Sequence, residues 1–141
     1  MSKVLLDTNL LIYSIDEQSK YFYSAQNILL NQNLEIFTTS KNLAEFLSVI
    51  TRIPEIGLSI QDALNVGNDF RKVLTILYPT ERSNSIFIKL LRKYRPTGLS
   101  IHDFEIISIG LANSINIFAT VNKKDFGLVS EINLFTIKIS K

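Results

Sequence analysis

The sequence VLLDTN at residues 4–9 joins a short apolar run to three polar residues of types that often begin helices. This junction predicts a buried strand that ends at Asp7 and a helix that starts directly after it. Four more short strands are expected further along the chain, with five segments long enough for helices. The strands are expected at residues 4–6, 35–38, 74–78, 115–120 and 134–137, and the helices at 21–30, 40–51, 59–73, 84–94 and 103–113.

Strands and helices therefore alternate along the chain. Parallel neighbouring strands need a crossover connection, which is usually helical, so the alternation predicts an α/β fold. We expect a mostly parallel five-stranded sheet sandwiched between helices. The 141 residues contain no linker-like tract and no internal repeat, which indicates one domain over residues 1–141. In folds of this kind, ligands gather at the carboxyl ends of the strands.

Composition excludes several functional classes. Hydrophobic residues make up 46% of the chain and charged residues 20%, which fits a globular domain and not a disordered one. With no cysteine and a single histidine, the chain is poorly suited to a zinc site. A net charge of +2 is too small to attract nucleic acid or a membrane by itself. Residues 1–6 lack the apolar segment of a signal peptide, so we expect a cytoplasmic protein without a membrane partner.

Four acidic residues occupy positions from which they could reach the same end of the sheet. Asp7 follows the first strand, and Glu45 lies in the helix after the second. Asp103 begins a strongly apolar helix, and Asp125 follows the fourth strand. Clustered carboxylates repel one another and raise each other's pKa values, whereas divalent metals with oxygen ligands relieve that repulsion. The pattern therefore indicates a site for Mg²⁺ or Mn²⁺.

Each acid also has a purely structural interpretation. Asp7 could cap the helix that follows it, and Asp103 could form a capping-box-like pair with Ser100. Glu45 lies well away from the apolar stripe of its helix, so periodicity alone predicts a solvated side chain. Asp125 could be an acid in a surface turn. Only the set of four favours a metal site.

Ordered motifs along the chain resemble those of the PIN-domain family. They are LLDTN at residues 5–9, NLAEF at 42–46, LSIHDFEIISIGLA at 99–112 and ATVNKKDF at 119–126. The match covers nearly the whole chain in the family's order, and the size is similar to that of VapC-type toxins of toxin–antitoxin pairs. The resemblance implies a divalent-metal-dependent endoribonuclease that forms a homodimer. It also implies a small VapB-like antitoxin protein as a partner.

The same resemblance implies roles for individual residues. Asp7, Glu45 and Asp103 match the family's three central acids, and Asp125 matches the fourth. Asn122 occupies a position where many family members carry an acid, so it could hold a metal through its amide oxygen but would add no charge. The polar residues expected beside the acids are Thr8, Asn9, Thr120 and Asn122.

Two short basic runs are candidates for contacts with RNA phosphates. Lys123 and Lys124 precede the fourth acid directly, and Arg92 and Arg95 flank a tyrosine near the end of a predicted helix. That residue, Tyr94, could stack on an unpaired base. The commoner meaning of such runs is a solvated helix face.

Two other functions compete with the nuclease. A catalytically silent PIN-like module could bind RNA or a protein, and the uncharged Asn122 is its best support. A phosphohydrolase or phosphotransfer domain with Asp7 as the nucleophile would need another acid close by, which Thr8 and Asn9 do not supply. The single histidine, His102, is expected to be structural because nothing near it in the sequence suggests a nucleophile partner.

Overall fold

The computed structural model describes residues 1–139, which form five strands and seven helices. The strands are β1 Ser2–Leu6, β2 Leu34–Thr39, β3 Thr75–Leu77, β4 Ile117–Ala119 and β5 Asn133–Leu134. The helices are α1 Thr8–Tyr13, α2 Phe22–Leu29, α3 Ser40–Arg52, α4 Ile60–Phe70, α5 Glu81–Tyr94, α6 Ser100–Ala112 and α7 Lys123–Phe126.

All five strands join one parallel sheet in the order β3-β2-β1-β4-β5. The central strand is β1, where Leu5 lies opposite Phe37 of β2 and Phe118 of β4. One further backbone hydrogen bond, 2.9 Å from the amide of Asp7 to the carbonyl of Ala119, extends this pairing past the end of β1. The predicted fold class is confirmed, and Asp7 is fixed at the carboxyl edge of the sheet.

Successive residues of β1 enter two hydrophobic cores on opposite faces of the sheet. Val4 and Leu6 pack with α1 to α4, whereas Leu5 packs with α5, α6 and α7. This burial on both faces explains why β1 reads as a continuous apolar run. The apolar stripe of α3 lies in the first core, where Phe46 and Ile50 are fully buried.

Helix α6 packs directly on the sheet at Gly110. A Cβ atom at this position would lie 2.5 Å from Cζ of Phe118 and 3.1 Å from Cδ1 of Leu5. Both neighbours are fully buried, so neither ring nor branch has free space to move into. Glycine therefore sets how closely α6 approaches β1 and β4.

Element boundaries differ from the predictions in ways that have local causes. Helix α5 begins three residues earlier than expected because Thr80 and Ser83 form a capping box. Helix α6 also begins earlier, and its cap residue Leu99 makes no side-chain capping bond. The predicted pairing of Ser100 with Asp103 is wrong, since the Ser100 hydroxyl donates to the carbonyl of Thr97 instead.

The end of the chain holds two further differences. The fifth strand was predicted at residues 134–137, but the sheet pairing covers only Asn133–Leu134. Helix α7 was not predicted, because four residues are too few to show a helical period. Within the described part of the chain, no helix is both long enough and apolar enough to span a membrane.

Candidate functional site

Asp7 forms the buried centre of the site at the carboxyl end of β1, with 8% of the residue exposed. Its Oδ1 accepts hydrogen bonds from the backbone N–H of Thr8 at 2.8 Å and from Nδ2 of Asn42 at 3.2 Å. Its Oδ2 accepts from the Thr120 hydroxyl at 2.7 Å and from Nδ2 of Asn9 at 3.4 Å. Burial raises the pKa of Asp7, and the hydrogen bonds from Thr120, Thr8 and Asn42 limit that rise. The carboxylate caps α1, as its structural interpretation predicted, and is also held in a fixed orientation for the site.

Asn42 is a site residue that the sequence interpretation missed. It is fully buried in the first turn of α3, where the Thr39 hydroxyl donates to its Oδ1 at 2.7 Å. This bond orients the amide so that Nδ2 donates to both Asp7 and Thr8. The local signal was a threonine three residues before an asparagine at a strand–helix junction, where a capping interaction is common.

Glu45 lies one turn further along α3 and is exposed, as the periodicity of the helix predicted. The Thr8 hydroxyl donates to its Oε2 at 3.3 Å. Because Thr8 follows Asp7 directly, this contact brings a carboxylate of α3 to the edge of the same site.

Asp103 and Asp125 form the other side of the site. Asp103 lies in the first turn of α6, and Asp125 is half-buried in α7 and not in a surface turn. A single amide joins them: Nδ2 of Asn122 donates to Asp103 at 3.4 Å and to Asp125 at 3.2 Å. The backbone N–H of Asn122 also donates to the Thr120 hydroxyl at 2.9 Å, which links this side to Asp7.

The four carboxylates act on one another electrostatically. Burial, followed by the negative charges of Asp7, Asp125 and Glu45, raises the pKa of Asp103 to about 7. No basic side chain within residues 1–139 forms an ion pair with any of the four. The ion pairs of this part of the chain are Lys41 with Glu105, Lys72 with Asp69, and Lys93 with Glu131.

A pocket of about 360 Å³ opens beside Glu45, Asp103 and Asp125. We call it the acidic pocket, and its walls include Glu45, Leu99, His102, Asp103, Asn122 and Asp125. His102 is exposed at its rim and makes no side-chain hydrogen bond to the described residues. The four predicted acids and their four predicted polar neighbours thus meet in one region.

The donor set suits a hydrated hard cation. In the part of the chain that the structure describes, no three His, Cys, Asp or Glu side chains lie close enough to hold one ion together. Magnesium usually keeps several waters and takes only one or two carboxylates, so this spacing fits Mg²⁺ or Mn²⁺ better than a closed zinc site. Oδ1 of Asn9, which is buried without a hydrogen-bond partner in the same part of the chain, adds an acceptor oxygen beside Asp7.

The predicted basic residues are exposed, and none of the four lines the acidic pocket. Lys123 and Lys124 share α7 with Asp125. Arg92 lies in the last turn of α5, and Arg95 caps that helix with a left-handed backbone, φ 51°. Neither arginine lines the acidic pocket.

The sequence matches a family model that confirms the resemblance. The model describes the PIN domain and covers residues 4–131. This chain belongs to the PIN-domain family. Similar solved structures show the same fold: VapBC2 from Rickettsia felis, bound to a DNA fragment from its promoter, is 20% identical with a TM-score of 0.72. The match covers 96% of this PIN domain and 99% of that chain.

Two further structures extend the comparison. VapBC from Salmonella typhimurium, bound to DNA, is 22% identical with a TM-score of 0.67, over 96% of this PIN domain and 98% of that chain. The Mycobacterium tuberculosis toxin VapC20, which cleaves the sarcin-ricin loop, is 10% identical with a TM-score of 0.68, over 89% and 94% of the two chains. No curated protein matches the sequence. At these identities the structures establish the fold of this PIN domain and not its substrate.

Proposed function

We propose that this PIN domain is a divalent-metal-dependent endoribonuclease that hydrolyses RNA phosphodiester bonds. One observation carries the proposal. Carboxylates from separate elements meet at the acidic pocket with no basic partner in the described chain, and their repulsion helps to raise the pKa of Asp103 to about 7. A site of this kind is stabilised by a divalent cation and, through that cation, by the phosphate of a nucleic acid.

The residues of the candidate site have different roles in the proposed reaction. Asp7 is held by neutral donors in one orientation, and Asp103 lies across the site from it; together they would hold the ion, with Glu45 and Asp125 beside them. Bound Mg²⁺ or Mn²⁺ supplies a positive charge for the scissile phosphate and lowers the pKa of a water molecule. Lys123 and Lys124 would bind neighbouring phosphates.

The identity of the attacking group determines the products. Attack by water leaves a 5′-phosphate and a 3′-hydroxyl, whereas attack by the ribose 2′-hydroxyl leaves a cyclic phosphate. Because the proposed reaction is a metal-dependent hydrolysis, its attacking group is water and not the 2′-hydroxyl. We therefore expect 5′-phosphate ends.

Incubation of the purified chain with RNA tests the proposal. Cleavage is expected with Mn²⁺ or Mg²⁺, should stop in EDTA, and should leave ends that a 5′-phosphate-dependent exonuclease degrades. The exposed Asp62 of α4 lies outside the pocket, so Asp62→Asn serves as a matched control that keeps full activity. Cleavage that persists in EDTA would contradict the proposal.

We further propose that the chain acts as the toxin of a VapBC-type toxin–antitoxin pair, as a homodimer in the cytoplasm with a VapB-like antitoxin. Support comes from the similar folds, several of which are VapBC complexes. Expression of the chain alone should arrest growth, and co-expression of a small protein encoded beside it should restore growth. Light scattering of the purified chain tests the dimer.

A catalytically silent binding module is the second candidate, and one observation favours it. No three of the acids approach closely in the described chain, and the amide of Asn122 lies between Asp103 and Asp125, where it offsets part of their charge without a cation. Calorimetry separates the two candidates. The nuclease predicts heat of Mn²⁺ binding that disappears in Asp7→Asn, whereas the silent module predicts none.

A further inference from the structure

A second, smaller pocket adjoins the acidic pocket. It has a volume of about 150 Å³, and we call it the side pocket. Asp125 and Ser100 line both pockets, so the side pocket continues directly from the acids. Its remaining walls are Tyr94, Pro96, Phe104 and Leu128.

The walls of the side pocket are apolar and include a fixed aromatic ring. The ring of Tyr94 packs on Phe104 with 5.6 Å between centroids. Its hydroxyl is hydrogen-bonded to Ser130 at 2.9 Å and to Glu131, which holds the ring in place. Leu128 stands at the edge with 71% of its surface exposed. A flat group in the side pocket would contact Tyr94 and Leu128, which both line it.

Positive charges lie next to these walls in the chain. Arg95, which is exposed, falls between Tyr94 and Pro96, and the exposed Lys124 precedes Asp125. A mostly apolar slot beside the acidic pocket, with exposed cations adjacent to its walls in sequence, suits a flat ring attached to an anionic backbone. That combination is the chemistry of a nucleotide within RNA.

We propose that the side pocket binds one unpaired nucleobase of the RNA, next to the phosphodiester that lies over the acids. This inference rests on the proposed nuclease function and adds a base contact to it. Proteins read single-stranded RNA by stacking splayed bases on aromatic side chains, which contributes about 1–3 kcal/mol per base. The side pocket would therefore restrict cleavage to unpaired regions.

RNA binding in Ca²⁺, a hard cation that carboxylates also bind, tests the inference, with a gel of the bound RNA to show that it stays intact. Fluorescence anisotropy would compare a short single-stranded RNA with copies that carry one abasic nucleotide at successive positions. We expect affinity to fall about 5–150-fold when the abasic nucleotide occupies one particular position, and to change little elsewhere. In Leu128→Ala the intact RNA should bind several-fold more weakly, and the sensitivity to that abasic position should shrink.

A matched control comes from Leu30, which is 64% exposed and caps α2 before the amino end of β2, whereas the pockets lie at the carboxyl end of the sheet. Leu30→Ala should bind every RNA as the wild type does. Both substitutions truncate exposed side chains, so both proteins should unfold at the wild-type temperature.

Three results would overturn the inference. The first is an equal fall in RNA affinity at all abasic positions. The second is that Leu128→Ala and the abasic nucleotide lower RNA affinity independently of each other. The third is that Leu128→Ala binds a protein inhibitor more weakly while its RNA affinity is unchanged. The last result would assign the side pocket to an apolar protein side chain. Position-dependent binding without any Mn²⁺-dependent cleavage would instead overturn the proposed nuclease function and keep the base contact.

Discussion

The two sides of the candidate site hold their carboxylates by different means. Around Asp7, neutral donors approach to between 2.7 and 3.4 Å, and two of them, Asn42 and Thr120, are themselves fully buried. Around Asp103 and Asp125, one amide from Asn122 is shared at 3.4 and 3.2 Å. The first side is nearly complete as a hydrogen-bonded structure, whereas the second leaves negative charge without compensation.

In the proposed nuclease, this difference indicates which side of the site gains most from a cation. Hydrogen bonds limit the rise in the pKa of Asp7, but nothing comparable acts on Asp103, whose pKa reaches about 7. A preformed carboxylate positions a metal, and an uncompensated one gains the most from it. The predictions below alter one side at a time.

The largest effect is expected from Asp7→Asn, which removes the central charge and keeps the shape. RNA cleavage should fall on the order of 10²–10³-fold, the usual cost of losing one group that stabilises developing charge. The circular dichroism spectrum should stay unchanged, because the amide oxygen can still accept from the Thr8 N–H and from Nδ2 of Asn42, while the amide NH2 can donate to the Thr120 hydroxyl oxygen. Cleavage by folded Asp7→Asn at the wild-type rate would remove Asp7 from the mechanism.

Asn42→Ala leaves every carboxylate in place but weakens the support of Asp7. Loss of a partner that orients a metal ligand typically costs 10–100-fold in metal affinity or activity. Removal of one buried hydrogen-bond partner lowers the free energy of unfolding by about 1–3 kcal/mol. Cleavage assays and urea unfolding measure these effects, with the exposed Asn68→Ala of α4 as the matched control. Wild-type Mn²⁺ affinity in Asn42→Ala would show that Asp7 does not need this support.

Asp103→Asn should stabilise the protein in EDTA while it lowers the rate of cleavage, though less than Asp7→Asn does. Between about pH 4 and pH 7 the folded chain keeps the Asp103 proton and the unfolded chain loses it. Unfolding then releases a proton in this range. The contribution of Asp103 to the free energy of unfolding is therefore fully present below about pH 4 and is lost as the pH rises to about 7.

The full shift in the pKa of Asp103 corresponds to about 4 kcal/mol. Because solvent screens a partly exposed carboxyl, we expect Asp103→Asn to raise the free energy of unfolding by only about 1–2 kcal/mol. Urea unfolding at pH 5 and pH 8 measures it, with Asp62→Asn as the control. If Asp103→Asn raises the free energy of unfolding equally at pH 5 and pH 8, the raised pKa of Asp103 is not the cause of the added stability.

The smallest effect is expected from Asn122→Asp, which adds a charge to the side that already lacks compensation. Mn²⁺ affinity should rise by less than about tenfold, because more carboxylate charge strengthens binding of a hard cation. Without metal the protein should be slightly less stable, because like charges then face one another. Calorimetry and thermal unfolding with and without EDTA measure both changes, and Asn68→Ala should alter neither.

The centre of the sheet could be predicted from sequence because β1, β2 and β4 contain short apolar runs that are buried on both faces. Residues 4–6 carry this signal most clearly, and Asp7 marks the end of the run. The last strand was less predictable. Residues 135–137 continue an apolar alternation, but the ladder of β5 ends at Leu134, since strand pairing depends on a neighbour that local sequence does not specify.

The site was predictable only as a set. Periodicity correctly placed Glu45 on the exposed side of α3, but an exposed glutamate gives no sign that Thr8 lies within reach. Local sequence carries still less information about the role of Asn42, because a buried polar residue in a helix interrupts the apolar pattern without indicating its partner. Its role comes from the contact between α3 and the end of β1, which only the folded chain brings together.

Gly110 has a consequence for how this protein can lose its activity. The missing side chain lets α6 rest on β1 and β4, and the same rigid helix carries Asp103 in its first turn. A methyl group at residue 110 would push α6 away from the sheet and would displace Asp103 in the first turn of the same helix. Inactive descendants could therefore arise by a change seven positions away, in the apolar interior, with every acid of the pocket still encoded.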